Sequence, residues 1–287
     1  MIAQDAEWGL SMRIDSTIVY PWQMTLGALS CDSIIYQMGF DIAQQCKRLG
    51  VNINFAPVVD VNSNHSNPII NNRSFGENPY RVAQKSLAYM QGLQDGGVMA
   101  CAKHFPGHGD TNSDSHKTLP IINHSYERLD TVDLIPFKTL FDKGLGSVMV
   151  AHLHIPALDN TDSLASTLSS NVVNDLLKDT LAFKGLVFTD ALNMKGVSQF
   201  YEPGEVDLKA LLAGNDVLLF TEDVPKAIEK IKDAIVNKVI SEEEINSRCR
   251  KILKAKKWFG LDEKIHLNSS NLTVSYTHLR AHETHEN

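Results

Sequence analysis

Short apolar runs alternate with helix-like stretches along the chain, and this repeat constrains the fold more than any other feature. The runs cover residues 51–56, 98–102, 147–151, 186–189 and 216–220, after a short strand remnant at 2–4. Strands that alternate with helices form βαβ units, whose strands are parallel. The runs are continuous rather than alternating, which indicates strands buried on both faces. The sequence therefore predicts an α/β domain with a parallel sheet.

Polar residues follow these strands repeatedly, and their position favours one type of parallel sheet. In a (β/α)8 barrel of the TIM type, the C-terminal ends of the strands form one face, where active sites are built. A doubly wound sheet also binds ligands there, but it usually has a glycine-rich phosphate loop after its first strand. Neither GxGxxG nor GxxxxGK[ST] occurs in the chain. We therefore expect a (β/α)8 barrel, whose last helix begins with the capping-box pattern of Ser241 and Glu244.

The composition excludes several classes of protein. Of 287 residues, 43% are hydrophobic and 21% are charged, which is typical of a soluble globular domain. The net charge is −7 and there is no dense Lys/Arg block, so nucleic-acid binding is not expected. No apolar run reaches the roughly 18 residues that suggest a membrane span. The four cysteines are scattered and predict neither a zinc site nor a disulfide framework.

The two ends of the chain differ from the rest. Residues 262–287 have no apolar periodicity and are rich in histidine, so we expect a disordered or non-native tail after a domain at 1–261. The HETH spacing in this tail offers two metal ligands but implies no third. The start of the chain has no charged region followed by an apolar one, and the sequence leaves the compartment open between cytoplasm and periplasm.

The segment KHFPGHGDTNSDSH at 103–116 carries the densest group of titratable residues. Loops on a rigid scaffold are where catalytic groups concentrate. Asp114 and His116 are two residues apart, so a bent loop can bring the carboxylate onto an imidazole nitrogen. Such a pair fixes the tautomer and leaves the other nitrogen free to exchange a proton with substrate. Taken alone, D-S-H also fits a solvated turn; within the whole segment, the catalytic interpretation is favoured.

A second candidate is Asp190, in the segment FTDALNM directly after an apolar run. Two interpretations remain open from the residues alone. The carboxylate could cap the N-terminus of the next helix. It could instead point into the mouth of the barrel as a nucleophile.

These two segments resemble the hallmark blocks of family 3 glycoside hydrolases, in particular the β-N-acetylglucosaminidase branch. KHFPGHGDTNSDSH and VFTDALNMKGV are the strongest matches. Three further blocks occur in the order that the family has. QDAEWG resembles the family pattern D-Q-E-G-G, NFAPVVD resembles F-A-P-V-x-D, and NRSFG resembles D/N-R-S-F. The resemblance covers about residues 1–260. It also implies a barrel that is incomplete at its N-terminus, because the family barrel begins upstream of the QDAEWG block.

The resemblance implies a role for each matched residue. Asp190 aligns with the family nucleophile, His116 with the acid/base, and Asp114 with the partner of that histidine. The residues implied to hold or line the sugar are Asp5, Arg73, Lys103, His104 and Met194. Asp60 is expected to be structural and His108 to shape its loop. Trp8 departs from the family pattern and fits either sugar stacking or packing.

The implied activity is removal of terminal β-linked N-acetylhexosamine from a GlcNAc-containing glycan or muropeptide, as in peptidoglycan turnover, without a metal or cofactor. A β-glucosidase or xylosidase of the same family is one alternative, although those enzymes usually take the acid/base from a later domain. An inactive sugar-binding barrel fragment is another. A metal-dependent hydrolase barrel would use His104, His152, His154 and Asp190.

Overall fold

The computed structural model describes residues 1–15, 17–112 and 118–263. Within these residues, the sheet has six strands, each parallel to its neighbours, in the order β1-β2-β3-β4-β5-β6. The strands are β1 Ala3–Gln4, β2 Ile53–Asn54, β3 Met99–Phe105, β4 Ser147–Val150, β5 Leu186–Ala191 and β6 Val217–Leu219. A doubly wound sheet would reverse its strand order at a switch point. The sequential order therefore excludes that alternative.

Helices connect the strands. They are α1 Gln23–Gly27, α2 Asp32–Arg48, α3 Pro79–Asp95, α4 Tyr126–Arg128, α5 Leu134–Asp142, α6 Lys195–Ser198, α7 Glu205–Ala213, α8 Val224–Val236 and α9 Glu242–Trp258, with π-helices at Leu129–Asp133 and Asn171–Thr180. The predicted cap of the last helix is confirmed, because the Glu244 N–H donates to Ser241 Oγ at 3.1 Å. Asn78 caps α3 in the same way and precedes Pro79, which favours the first helical position.

Two strands extend further than the apolar runs predict. The run at 98–102 predicts a strand that ends at residue 102, but β3 continues through Lys103 and His104 to Phe105. It continues because the chain after β2 still pairs with it: Val59 N donates to Lys103 O at 2.8 Å. In β5 the strand likewise includes Asp190. Lys103, His104 and Asp190 were predicted to follow strands, and they instead lie within the last residues of β3 and β5.

The strands separate two apolar cores. One core lies on the outer face, between the sheet and the helices, and contains residues of α2, α3 and α5. The other lies on the inner face and consists of alternate strand residues: Ile53, Phe55, Met99, Cys101, Met149, Leu186 and Phe188, with Ala255 of α9. Successive strand side chains point to opposite faces, so a residue two positions beyond an inner-face residue continues that face.

Among the described helices, none is both long and apolar enough for a membrane span. The four cysteines are free; Cys46 and Cys101 are buried, and Cys31 and Cys249 are exposed.

Asp133 provides a test of packing beneath the loop that follows β3. A Cβ atom on Gly107 would lie 2.8 Å from the Asp133 Cβ, so the loop rests directly on this residue. Burial raises the pKa of Asp133 to about 6, although Arg128, with its NH1 2.8 Å from the carboxylate, partly opposes the rise. The folded state thus favours the protonated acid. The resulting stabilisation is complete below the ordinary pKa of 3.8 and is lost as pH rises through about 6.

We therefore expect Asp133→Asn to unfold with nearly the wild-type free energy at pH 4. At pH 7.5 it should be more stable than the wild type by roughly 2–3 kcal/mol, since each pKa unit corresponds to about 1.4 kcal/mol. Urea unfolding at both pH values measures this difference. Asp130→Asn is the matched control, because Asp130 lies in the same π-helix but is partly exposed. A gap that stays constant between the two pH values would contradict the assignment.

Candidate active site

One cavity of about 470 Å³ at the C-terminal ends of the strands brings together the predicted site residues that the structure describes. The predicted residues that line it are Asp5, Arg73, Lys103, His104, Asp190 and Met194. The further lining residues are Glu7, Trp8, Met12, Arg13, Phe55, Met149, Ala191, Leu219 and Phe220. Asp114 and His116 lie outside the described residues. The sequence therefore identified the cavity but not all of its walls.

Strand periodicity explains why side chains so far apart in sequence meet. Asp190 lies two residues after Phe188, and Lys103 two residues after Cys101. Both preceding residues belong to the inner-face core. Since side chains alternate along a strand, Asp190 and Lys103 continue this face at the ends of β5 and β3. The apolar inner core thus ends in a layer of charged groups.

Glu7 is the centre of a buried ion cluster. Its carboxylate accepts hydrogen bonds from Arg73 Nε at 2.9 Å and Arg73 NH2 at 2.7 Å, and Lys103 Nζ lies 2.8 Å from Oε1. Glu7 itself is fully buried. Burial disfavours its charge, but Lys103 and Arg73 outweigh that effect and hold the pKa of Glu7 far below its ordinary value. Two cations are therefore fixed at the floor of the cavity by one anion.

Asp5 bridges this cluster to the rim. Its Oδ1 accepts from Lys103 Nζ and its Oδ2 from Arg13 NH2, each at 2.8 Å. The pKa of Asp5 is lowered, because Lys103 outweighs the opposing effect of burial. Neither Glu7 nor Arg13 was predicted to be a site residue. Glu7 lies three residues after the end of β1, and the local pattern gave no signal for its role.

His104 is oriented by Asp60. The Asp60 carboxylate accepts from His104 Nδ1 at 2.7 Å, and it also accepts from the backbone N–H of His104 and of His108. With Nδ1 protonated, His104 Nε2 can accept from Arg73 NH2 at 3.4 Å; the protonation follows from the hydrogen-bond partners. Asp60 is fully buried and lies outside the cavity lining, as its structural interpretation predicted.

Asp190 is the carboxylate at the end of β5. Its Oδ1 accepts from the N–H of Ala191 at 2.8 Å. Burial raises the pKa of Asp190, but the nearby His152 and His104 outweigh burial, so that the pKa lies below its ordinary value. The side chain is therefore anionic at neutral pH. No described residue forms an ion pair with it within 4.0 Å, which leaves it available inside the cavity.

The walls of the cavity are largely apolar. Met194 is buried and Phe220 is 71% exposed at the opening. Trp8 lines the cavity while its ring packs against Trp22, with 4.2 Å between ring centroids. Trp8 therefore has the packing contact and also presents a surface to the cavity. An aromatic and aliphatic wall beside polar groups is typical of a small-molecule site.

His108 lies beneath the loop that leads towards the predicted dyad. It is buried, and its Nδ1 lies 2.9 Å from Thr111 Oγ1. Burial lowers its pKa to about 4, so it is neutral at physiological pH. Gly109 passes so close to the backbone that an added Cβ would lie 1.8 Å from Val61 O. These contacts fix the loop up to Asn112.

Of the four residues of the metal-dependent alternative, His104, His152 and Asp190 lie near one another and His154 lies apart. The ring of His104 bonds Asp60, while His154 lines a separate cavity of about 370 Å³. Across residues 1–15, 17–112 and 118–263, no group of three or more His, Cys, Asp or Glu side chains is placed to hold a metal ion.

Comparisons with known proteins agree with the sequence blocks. Residues 1–255 match the model of the glycosyl hydrolase family 3 N-terminal domain. β-Hexosaminidase A of Pseudoalteromonas piscicida is 34% identical over 279 residues, covering 89% of this chain and 47% of the relative. The β-hexosaminidase of Nitrosomonas eutropha is 33% identical over 236 residues, covering 80% of this chain and 67% of the relative.

A solved structure leads to the same family. The family 3 β-N-acetylglucosaminidase of Paenibacillus sp. str. FPU-7 superposes with a TM-score of 0.88 at 38% identity, covering 94% of this chain and 52% of that one. The chain thus spans about half the length of this protein and of the Pseudoalteromonas relative. The resemblance inferred from the sequence is confirmed. The chain belongs to glycosyl hydrolase family 3, and residues 1–255 match its N-terminal, TIM-barrel-like α/β domain.

Proposed function

We propose that this chain is a retaining glycoside hydrolase that removes terminal β-linked N-acetylglucosamine. One observation carries the proposal: an anionic Asp190 lies in a sugar-sized cavity whose floor holds fixed cations and whose walls are apolar. Relatives named β-hexosaminidases support the substrate class. The natural substrate would be a GlcNAc-containing glycan or muropeptide, which makes peptidoglycan turnover a candidate role.

In the proposed reaction, Asp190 attacks the anomeric carbon while His116 donates a proton to the leaving oxygen. The glycosidic C–O bond breaks through an oxocarbenium-like transition state, and a covalent glycosyl-enzyme forms. His116 then removes a proton from water, the water oxygen attacks the same carbon, and Asp190 leaves as a carboxylate. Two displacements give net retention. Asp114 supports the imidazolium form of His116, and the near-neutral reference pKa of histidine allows it to act in both directions.

The sugar is held by groups that are already in place. Glu7 and Asp5 fix Lys103 and Arg73 through the ion pairs described above, so the cations need not reorganise when substrate binds. Their remaining N–H donors, together with the Asp5 carboxylate and His104, can bond sugar hydroxyls. Such preorganisation places the reacting carbon and can supply much of the reduction of the barrier. Met194 and Trp8 supply apolar surface for the faces of the ring.

We further propose that the six-stranded sheet belongs to a (β/α)8 barrel and that residues 1–261 form its catalytic unit. The sequential strand order supports this, because neighbouring strands in such a barrel follow the chain. The position of the cavity at the C-terminal ends of the strands supports it as well.

A side-by-side assay of p-nitrophenyl β-GlcNAc and p-nitrophenyl β-glucoside tests the substrate class. We expect faster hydrolysis of the GlcNAc substrate, with release of the β-anomer first. Faster hydrolysis of the glucoside would favour the β-glucosidase alternative. Binding of GlcNAc without turnover of either substrate would favour an inactive sugar-binding barrel.

The proposed acid/base is tested through the leaving group. His116→Ala should slow substrates with poor leaving groups by about 10²–10⁴-fold, because these need protonation, while activated aryl glycosides should lose far less. Asp114→Asn should give a milder form of the same pattern. Kinetics on chitobiose and on p-nitrophenyl β-GlcNAc measure the contrast. His65→Ala, at an exposed position, is the matched control, and equal losses on both substrates would contradict the assignment.

A further inference from the structure

His152 lies beside the end of β5, next to Asp190 in the sheet, and does not line the cavity. It follows β4 and is fully buried. Val150 pairs with Thr189 in the sheet, which brings His152 level with the last residue of β5, Ala191. The residue therefore contacts the strand end from which Asp190 projects.

The hydrogen-bond partners of His152 determine where its protons lie. Nε2 is 2.9 Å from Ala191 O, and a carbonyl oxygen can only accept, so Nε2 carries a proton. Nδ1 is 2.8 Å from Thr167 Oγ1. The Thr167 hydroxyl is itself 2.5 Å from Ala151 O and 3.1 Å from Val150 O. Its single hydrogen is needed between Oγ1 and these carbonyl oxygens.

A neutral ring would leave this network unsatisfied. If Thr167 donated its hydrogen to Nδ1, its oxygen would face the Ala151 and Val150 carbonyl oxygens with no proton between them. If Nδ1 donates instead, each of these contacts joins a donor to an acceptor. Unsatisfied buried polar contacts are costly, so the geometry favours a ring protonated on both nitrogens.

We propose that His152 is a positioning residue, held as a buried imidazolium, that fixes the end of β5 and supports the negative charge of Asp190. The proposal rests on the proposed function, in which Asp190 must be a carboxylate before attack and again when it leaves the sugar. A cation near it stabilises the carboxylate relative to the uncharged ester of the glycosyl-enzyme. It therefore favours hydrolysis of that ester. The lowered pKa of Asp190, to which His152 contributes, agrees with this role.

His152→Gln separates the charge from the hydrogen bond, because its amide can still donate to Ala191 O while carrying no charge. We expect kcat on p-nitrophenyl β-GlcNAc to fall by about tenfold to a hundredfold, with no comparable rise in KM. His154→Gln is the matched control. It is the same substitution two residues later, at a ring that faces Leu164 O at 3.3 Å, and it should keep wild-type kcat.

NMR of the histidine ring nitrogens in the full chain tests the protonation directly and does not depend on activity. The resonance that disappears in His152→Gln identifies His152, and both of its nitrogens should be protonated near neutral pH. If His152→Gln does not fold, Thr167→Val supplies the identification through a shifted resonance. A singly protonated ring, or a folded His152→Gln with wild-type kcat, would overturn the proposal. If the proposed function were wrong instead, Asp190→Asn would stay active while the NMR result stood.

Discussion

Asp190→Asn is expected to lose nearly all turnover, by at least about 10³-fold in kcat, while the fold and the affinity for GlcNAc stay close to wild type. An amide of the same size fills the same space at the end of β5, but its oxygen is a poor nucleophile towards the anomeric carbon. Since Asp190 forms no ion pair with the described residues within 4.0 Å, its neutralisation leaves no described cation directly unpaired. Steady-state kinetics and calorimetric titration with GlcNAc measure the two effects.

Chemical rescue makes the test specific for a nucleophile. With an activated aryl glycoside, azide added to Asp190→Ala should restore turnover and give the α-glycosyl azide, because azide then occupies the place of the missing carboxylate. Asp142 is an exposed acid at the end of α5, and Asp142→Asn is the matched control. This variant should keep the wild-type kcat and should not respond to azide. A kcat for Asp190→Asn within tenfold of wild type would contradict the assignment.

Glu7→Gln is expected to give the largest loss of stability. It would leave Lys103 and Arg73 facing each other without the anion that holds both. Breaking a buried ion pair by removing one partner typically costs about 3–5 kcal/mol. Because the folded pKa of Glu7 is depressed, its contribution is present above the ordinary value of 4.5 and is lost only as pH falls through the folded value.

Urea unfolding at pH 7 measures this effect, and the loss should shrink towards strongly acidic pH. Activity should fall as well, because the two cations that are proposed to bind the sugar would lose their fixed positions. Glu77→Gln, at an exposed site, is the control that removes an acid without breaking a buried pair. Wild-type stability in Glu7→Gln would contradict this prediction, because Lys103 and Arg73 would then tolerate the loss of the Glu7 charge.

Local patterns were sufficient to predict the sheet and the residues at its strand ends. Lys103 and Asp190 could be selected because each ends an apolar run, and strand alternation then directs both to one face. The extent of β3 could not be predicted, because its last residues pair with chain beyond β2.

Glu7 could not be assigned from local pattern either, because its role depends on Arg73, 66 residues away. The same holds for His152, whose protonation depends on Thr167, 15 residues further along the chain. In both cases the role of a buried charge depends on a partner that is distant in sequence and is brought into contact by the fold. Sequence blocks identified the family, but the connections between blocks required the structure.

Asp60 has a consequence for how this site can change during evolution. One buried carboxylate accepts from the backbone N–H of His104, which lines the cavity, and from that of His108, on the segment that leads to residues 113–117. The ion pairs among Asp5, Glu7, Arg73 and Lys103 join these four residues to one another. Under the proposed function, substitutions in the segment that carries the acid/base therefore need not remove any residue of these ion pairs. If sugar binding and proton donation can change separately, one barrel can acquire different acid/base groups during evolution.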